Sequence, residues 1–395
     1  MLDRDQPMTE WREEDQWGPW PTPRQEMLLR ASLLSGAEAL EAWDQWKKDV
    51  DVDRVMMPSM GLLPLLYHNL LHNGVADPMM ADLKKRYAAT WYQNQLLLRR
   101  TAECVALLKD AGIETIVLKG AAMTLAYYKD HGVRPMSDVD LLVKPEDSLR
   151  AANALGAYGL ESTTVLSANA LRYMHGAHFT GGPGFAVDLH WQLLWEFNPP
   201  EAETDFWDRA VETPAGNVSV RVLEPTDQLF HVCVHGARWN SAPLRWIADA
   251  VTIVNTSGQS IDYERLAAKA EQLTLHLPIR DTLGYLAARW SQAVPPWILE
   301  ALEAMPSTAL QRVQYRNLAS NRTRALLGIL PMHLFRFLRI TRRAGFMHRL
   351  TELPRFLAFA WRLERARDVP ISILKKAGRR AWMAVRSAFT ARSSG

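Results

Sequence analysis

Between residues 114 and 143 an apolar segment, 114–118, runs directly into Lys119-Gly120 and is followed by Ser137-Asp138-Val139-Asp140-Leu141-Leu142-Val143. The second segment limits the fold more than any other. Alternate side chains of a strand point to opposite faces, so Asp138 and Asp140 share one face and Val139, Leu141 and Val143 the other. Such a strand must bury one side and present two carboxylates on the other. Paired carboxylates repel unless a cation lies between them, and a hard oxygen site of this kind suits Mg²⁺, or Mn²⁺ in its place.

The surrounding pattern predicts an α+β protein with a small mixed sheet embedded in a mostly helical chain. Residues 1–25, rich in Trp, Pro and acids, read as an irregular lead-in, and 26–110 as a helical region that Gly112 terminates. The core spans 111–225. It holds a strand at 114–118, a short helix at 120–128, the metal strand at 138–143 and an amphipathic helix at 145–159 with Leu149, Ala152 and Leu155 at helical spacing. Gly181-Gly182-Pro183-Gly184 is a turn signal before a strand at 185–191, and 218–223 is a further strand. Residues 226–310 are helical, and 311–395 form a basic amphipathic helical tail.

A third carboxylate is expected at Asp188, in Val187-Asp188-Leu189-His190-Trp191. Asp188 and His190 share a strand face, with Val187 and Leu189 toward the core. If this strand lies beside the first, Asp138, Asp140 and Asp188 converge as ligands for divalent ions, with His190 in reach. Lys119 follows a buried strand, so its ammonium needs an anionic partner. Arg134 and Ser137 stand just before the metal strand; each can contact phosphate, and Arg134 can equally pair with a local acid. His175 and His178 lack further zinc ligands and read as loop residues. His231 and His235 read as packed helix residues, and Arg245 and Asp249, four apart, as a helical ion pair.

The string Val117-Leu118-Lys119-Gly120, then Arg134-Pro135-Met136-Ser137-Asp138-Val139-Asp140, then Val187-Asp188-Leu189-His190-Trp191 resembles the uncharacterised bacterial nucleotidyltransferase family of the polymerase-beta-like superfamily. The segment His231–Ala237 with Leu244–Asp249 resembles that family's helical portion, and the likeness covers residues 25–270. It implies a nucleotidyltransferase core in which Asp138 and Asp140 bind metal and Asp188 completes the site and helps deprotonate an acceptor hydroxyl. An NTP would be the donor substrate. The superfamily's usual Gly-Ser pair is replaced by Lys119-Gly120; Gly120 still lets the backbone approach phosphate, and Lys119 would offer a positive charge to the triphosphate. The acceptor is left open among a small molecule, a sugar, a peptide and a protein. A degenerate, non-catalytic scaffold is the main rival reading. A glycosyltransferase would need alternating strands and helices where 25–109 reads as helical throughout.

Charge is unevenly spread. The net of +3 conceals 17 Lys/Arg against 3 Asp/Glu in residues 321–395, a net of +14 that leaves −11 for residues 1–320. The tail, with Leu334-Phe335-Arg336-Phe337-Leu338-Arg339-Ile340 and Phe356–Arg362, suits an anionic membrane surface more than nucleic acid; docking against the acidic remainder of the chain, or a helical bundle with a solvated basic face, is the equal alternative. Two cysteines exclude a disulfide framework, the N-terminus has no apolar core of a signal peptide, and no apolar run is long enough to span a bilayer. These features predict a cytoplasmic protein, peripheral on the inner membrane face. The fifteen tryptophans read as packing residues rather than as a base-stacking platform.

Overall fold

A computed structural model describes residues 19–375 except 56–57, 183, 195, 197–200, 202, 239–242, 291–293, 320–329 and 343. Four helices precede the sheet: α1 (Pro23–Leu33), α2 (Gly36–Trp46), α3 (Leu63–His72) and the long α4 (Met80–Asp110). Thr22 and Gln25 form a capping box that starts α1. Gly112, at φ +68, ends α4 as its sequence predicts; the Gly112 amide donates to the Lys109 carbonyl and the Ile113 amide to the Leu108 carbonyl. Those two bonds make a Schellman stop, which needs the left-handed conformation that glycine tolerates.

The middle of the chain runs β1 (Thr115–Val117), α5 (Lys119–Ala122) continuing as a π-helical turn Met123–Tyr128, β2 (Val139–Val143), α6 (Ser148–Ala157), β3 (Glu161–Ser162), α7 (Ala168–Tyr173), β4 (Gly176–Thr180), β5 (Ala186–His190), α8 (Thr204–Arg209), β6 (Val211–Ala215) and β7 (Val218–Val222). Helices α9 (Pro225–Gly236), α10 (Pro243–Ser257), α11 (Tyr263–Gln272), α12 (His276–Arg289), α13 (Pro296–Ala304) and α14 (Ala309–Ala319) follow, then the helices Leu330–Ile340 and Phe346–Ala360. The strands form one mixed sheet in the order β3-β4-β5-β2-β1-β7-β6. The β2–β5 and β1–β7 pairs are parallel and the others antiparallel. The α+β architecture, a mixed sheet within a mostly helical chain, is as the sequence implies.

Strand parity divides the apolar residues between two cores. Val117, Val139, Leu141, Val143, Val187 and Leu189 pack with α4 and α6 on one side. Ile116, Leu118 and Leu142 join the larger cluster built from α1–α3 and α9–α13 on the other. Asp140, between Leu141 and Val139 in sequence, therefore faces the helical body.

Several local expectations change. The strand carrying Asp140 begins at Val139, and Asp138 occupies a bend just ahead of it. In α6 the buried residues are Ser148, Ala151, Ala152 and Leu155, while Leu149 is 46% exposed. His178 lies on β4, not in a loop. Strands β3, β4 and β6 were not anticipated; the glycine turn proves to link β4 to β5, with the Gly181 amide donating to the Phe185 carbonyl. The tail is partly folded onto the body: Phe337, Phe356, Leu357 and Val369 bury themselves around Tyr173. Arg336 donates to the Tyr173 carbonyl at 2.6 Å and Arg339 to the Leu273 carbonyl at 3.4 Å, so these two arginines turn inward. Residues 321–329 and 376–395 of the tail lie outside the described residues. Trp43, Trp46 and Trp246 are core residues, in keeping with a packing role, whereas Trp20, Trp91 and Trp297 are exposed; Trp11 and Trp382 lie outside the described residues. Among the described residues no helix is long and apolar enough to cross a membrane.

Candidate functional site

Parallel pairing of β2 with β5 sets Asp140 directly opposite Asp188 and Leu142 opposite His190. Because the flanking valines and leucines enter the α4/α6 core, Asp140, Asp188 and His190 share the opposite face. One ligand atom from each lies within 4.8 Å of the other two. Asp138 stands outside this tightest group but enters the same region from its bend. Burial, together with the charges of Asp140 and Asp188, pushes its carboxyl above the usual range. Ser137 Oγ donates to Asp138 at 3.1 Å. Of the three acids expected to meet, Asp140 and Asp188 adjoin one another with His190, while Asp138 lies outside that group, near enough for their charges to bear on it.

Each of the two strand acids is answered by a neighbouring side chain. Lys119 Nζ donates to Asp140 Oδ1 at 2.6 Å, and His190 Nε2 lies 3.1 Å from the same oxygen. Burial alone would raise the Asp140 carboxyl, but Lys119 and His190 hold it well below the ordinary carboxylate range. Lys119 does this from a left-handed backbone, φ +46, that side-chain-bearing residues seldom adopt. Asp188 Oδ1 lies 2.6 Å from His178 Nδ1 on the adjacent strand. The ring of His175 lies beside that of His190, centroids 5.4 Å apart. Two carboxylates and an imidazole this close, with a third acid destabilised by their charge, fit a divalent metal ion.

Asp138 and Asp140, though not Asp188, line a cleft of about 330 Å³, walled also by Lys119, Gly120 and Ser137 on the sheet side and by α9 and α10 on the other. Gly120 is there for packing: a Cβ would stand 2.9 Å from Met136 Cγ and from Arg134 Nη1. Arg134 itself is buried. Its Nε and Nη2 each donate to Asp249 at 2.8 Å, and Tyr128 Oη donates to Asp249 Oδ1 at 3.0 Å. Asn94 Nδ2 ties the same loop down through the His131 and Arg134 carbonyls. Of the two roles open to Arg134, the ion pair is the one present.

Asp249 thus pairs with Arg134 and not with Arg245, which corrects the expectation of an Arg245–Asp249 pair. Asp249 is already occupied from across the loop, and Arg245 lines the cleft instead. From α9, Gln228, His231 and His235 line the same cleft. Burial pushes the His231 imidazole down to about 3 and lowers that of His235 as well, so both are neutral. Both polar atoms of the Gln228 carboxamide are buried without a hydrogen-bond partner. Reading the sequence missed Gln228 and Arg245. A signal existed for the first, since Gln228, His231 and His235 recur at helical spacing through an otherwise apolar α9.

A search of curated proteins finds no match to this chain. A family model described as "uncharacterised nucleotidyltransferase" matches residues 54–291, a span that contains the whole sheet, all three acids and both helical walls of the cleft. The chain belongs to this uncharacterised nucleotidyltransferase family and is a nucleotidyltransferase.

Proposed function

We propose that the protein moves a nucleoside monophosphate from an NTP to an acceptor hydroxyl, using Mg²⁺ or Mn²⁺ held by Asp138, Asp140 and Asp188. The observation that carries this is the register of Asp140 against Asp188, with Asp138 at the cleft mouth. A bound divalent ion would neutralise phosphate charge and orient the triphosphate for in-line attack. The acceptor oxygen bonds to the α-phosphorus, and the bond from that phosphorus to the oxygen bridging to the β-phosphate breaks, releasing pyrophosphate. Asp188 takes the hydroxyl proton, and half-exposed His178 beside it offers a path onward to solvent. Lys119 exchanges Asp140 for the departing pyrophosphate, Ser137 stands at the phosphate path, and His190 fixes Asp140. Gly120 lets Arg134 and Met136 pack closely into the wall that the nucleotide meets. Positioning and electrostatics supply most of the rate in such a transfer.

Calorimetry with each NTP and Mg²⁺ on the wild type, Asp138→Asn and Asp140→Asn tests this reading. The wild type should bind one or more NTPs only with the metal. Either substitution should remove about 3 kcal/mol or more of transition-state stabilisation when turnover is followed as pyrophosphate release. Wild-type protein that binds no NTP with metal present would sink the proposal. The acceptor class is a small molecule, sugar, peptide or protein, and mass spectrometry of candidates after incubation with labelled NTP would identify it by the added nucleotide.

A second reading concerns place. Phe346, Met347 and Leu350 are 72%, 71% and 52% exposed at the start of the last long helix, with exposed Arg342 and Arg355 nearby. Apolar groups bordered by arginines suit an anionic bilayer surface. This supports peripheral attachment through residues 321–395 to the inner face of a membrane in the cytoplasm.

A further inference from the structure

Among the described residues Arg245 has no hydrogen-bonded partner, where other enclosed arginines do. Arg134 is held by Asp249, Arg238 by Glu196, and Arg265 by Asp227 and Glu224. Arg245 is half-buried between α10 and the cleft; the charges of Asp249 and Asp138 reach it, yet it makes no hydrogen bond and no ion pair among the described residues. Asp249, one turn along the same helix, is saturated by Arg134 and Tyr128. A guanidinium has five N–H donors and cannot lose its charge at neutral pH, so burying one unanswered is costly. Its surroundings point to what would answer it. It lines the same cleft as Lys119, Ser137, Asp138 and Asp140. Lys119 is engaged with Asp140, and a divalent ion on the carboxylates would offset only part of a triphosphate's charge. An anionic ligand entering this cleft needs a further cation, and a planar guanidinium matches two phosphate oxygens at once.

We propose that Arg245 is the polyphosphate clamp of the cleft, holding the pyrophosphoryl portion of the triphosphate and keeping hold of it as it leaves. The assignment rests on the reading of the cleft as an NTP site. It leaves Arg134 as the residue that positions α10, through Asp249, so that Arg245 faces the ligand. The same helix thus carries one arginine-binding acid and one anion-binding arginine.

The test uses the full chain with Mg²⁺ and three probes: inorganic pyrophosphate, an NTP and the matching nucleoside, titrated by calorimetry into the wild type, Arg245→Gln and Arg245→Lys. Arg245→Gln should weaken pyrophosphate and NTP about 10- to 100-fold, the range expected for losing hydrogen bonds to a charged group, and change nucleoside binding less than about twofold. Arg245→Lys should recover part of the loss, because it restores charge without the fork. Thermal unfolding of Arg245→Gln should be no lower than wild type, since no native contact is removed. Unchanged pyrophosphate and NTP affinity in Arg245→Gln, or an equal loss for the nucleoside, would overturn the clamp. A wild type that binds pyrophosphate through Arg245 but no NTP would support the clamp while the nucleotide reading failed. A wild type that binds none of the probes would overturn both.

Discussion

At the scale of single residues, the cleft is built from groups held in states their own chemistry disfavours. Lys119 takes a left-handed backbone to reach Asp140, the Asp138 carboxyl is raised by burial and then by two neighbouring acids, and Gln228 buries a carboxamide with neither end bonded. Strain and unmet polar groups persist where surrounding structure enforces them, and they gather at functional sites. Gln228 offers a clean measurement. An unsatisfied buried polar group costs about 1–3 kcal/mol, so Gln228→Leu should stabilise the free protein by about 1–2 kcal/mol in urea unfolding. If the carboxamide answers a ligand, the same variant should lose about tenfold or more in affinity for the group it meets. A destabilised Gln228→Leu would mean that the amide has a role in the free fold, and the stability argument would fail. Composition carries none of this: the spacing of Gln228 with His231 and His235 marks a polar face on α9, and only tertiary packing shows that this face is buried.

At the scale of elements, the legible parts were those with a strict period or a stop signal. The alternation at 138–143 and 186–190 fixed which residues face inward, and Gly112 ended α4 where it was expected to. Strand β4, with Gly-Ala-His-Phe-Thr, has too few β-branched residues to announce itself, and it exists because β5 offers it an edge to pair with. The helix α10 shows the same limit. Its Arg245 and Asp249 obey the four-residue spacing of an ion pair, yet the acid is taken by Arg134, 115 residues away in sequence. Local spacing gives the option of a pair, and tertiary packing chooses among options. The Arg134–Asp249 link joins the loop before β2 to α10, so it holds the two sides of the cleft at a fixed separation. Removing one partner of a buried pair leaves the other charge unanswered, at a cost of about 3–5 kcal/mol. Asp249→Ala should therefore lower unfolding stability by that amount and loosen the loop carrying Arg134 to Ser137, seen as faster hydrogen exchange of its amides. Asp249→Ala as stable as wild type would show that the link is dispensable and that the cleft is held by other contacts.

At the scale of the whole molecule, the acidic body and basic tail are two parts of one charge pattern, and the described part of the tail packs against the body. Tyr173 of α7 sits among Phe337, Phe356 and Leu357, and Glu352 accepts hydrogen bonds from Tyr173 and Arg172. Deleting residues 321–395 would uncover this apolar cluster as well as remove charge, so truncation cannot isolate membrane binding. Point changes on the outer face can. Phe346, Met347 and Leu350 support no buried cluster in the described residues, and their replacement by serine should leave the fold intact. The wild type should sediment with vesicles that contain a substantial fraction of phosphatidylglycerol and stay in solution with phosphatidylcholine alone. The anionic component of that binding should weaken as salt rises, because screening reaches about 10 Å at 0.1 M. The triple serine variant should bind the anionic vesicles about tenfold or more weakly, reflecting apolar surface no longer inserted at the interface. If the variant and the wild type sediment alike, or if neither distinguishes anionic from neutral vesicles, the exposed helix start is not a membrane contact and the charge of the tail serves some other anion.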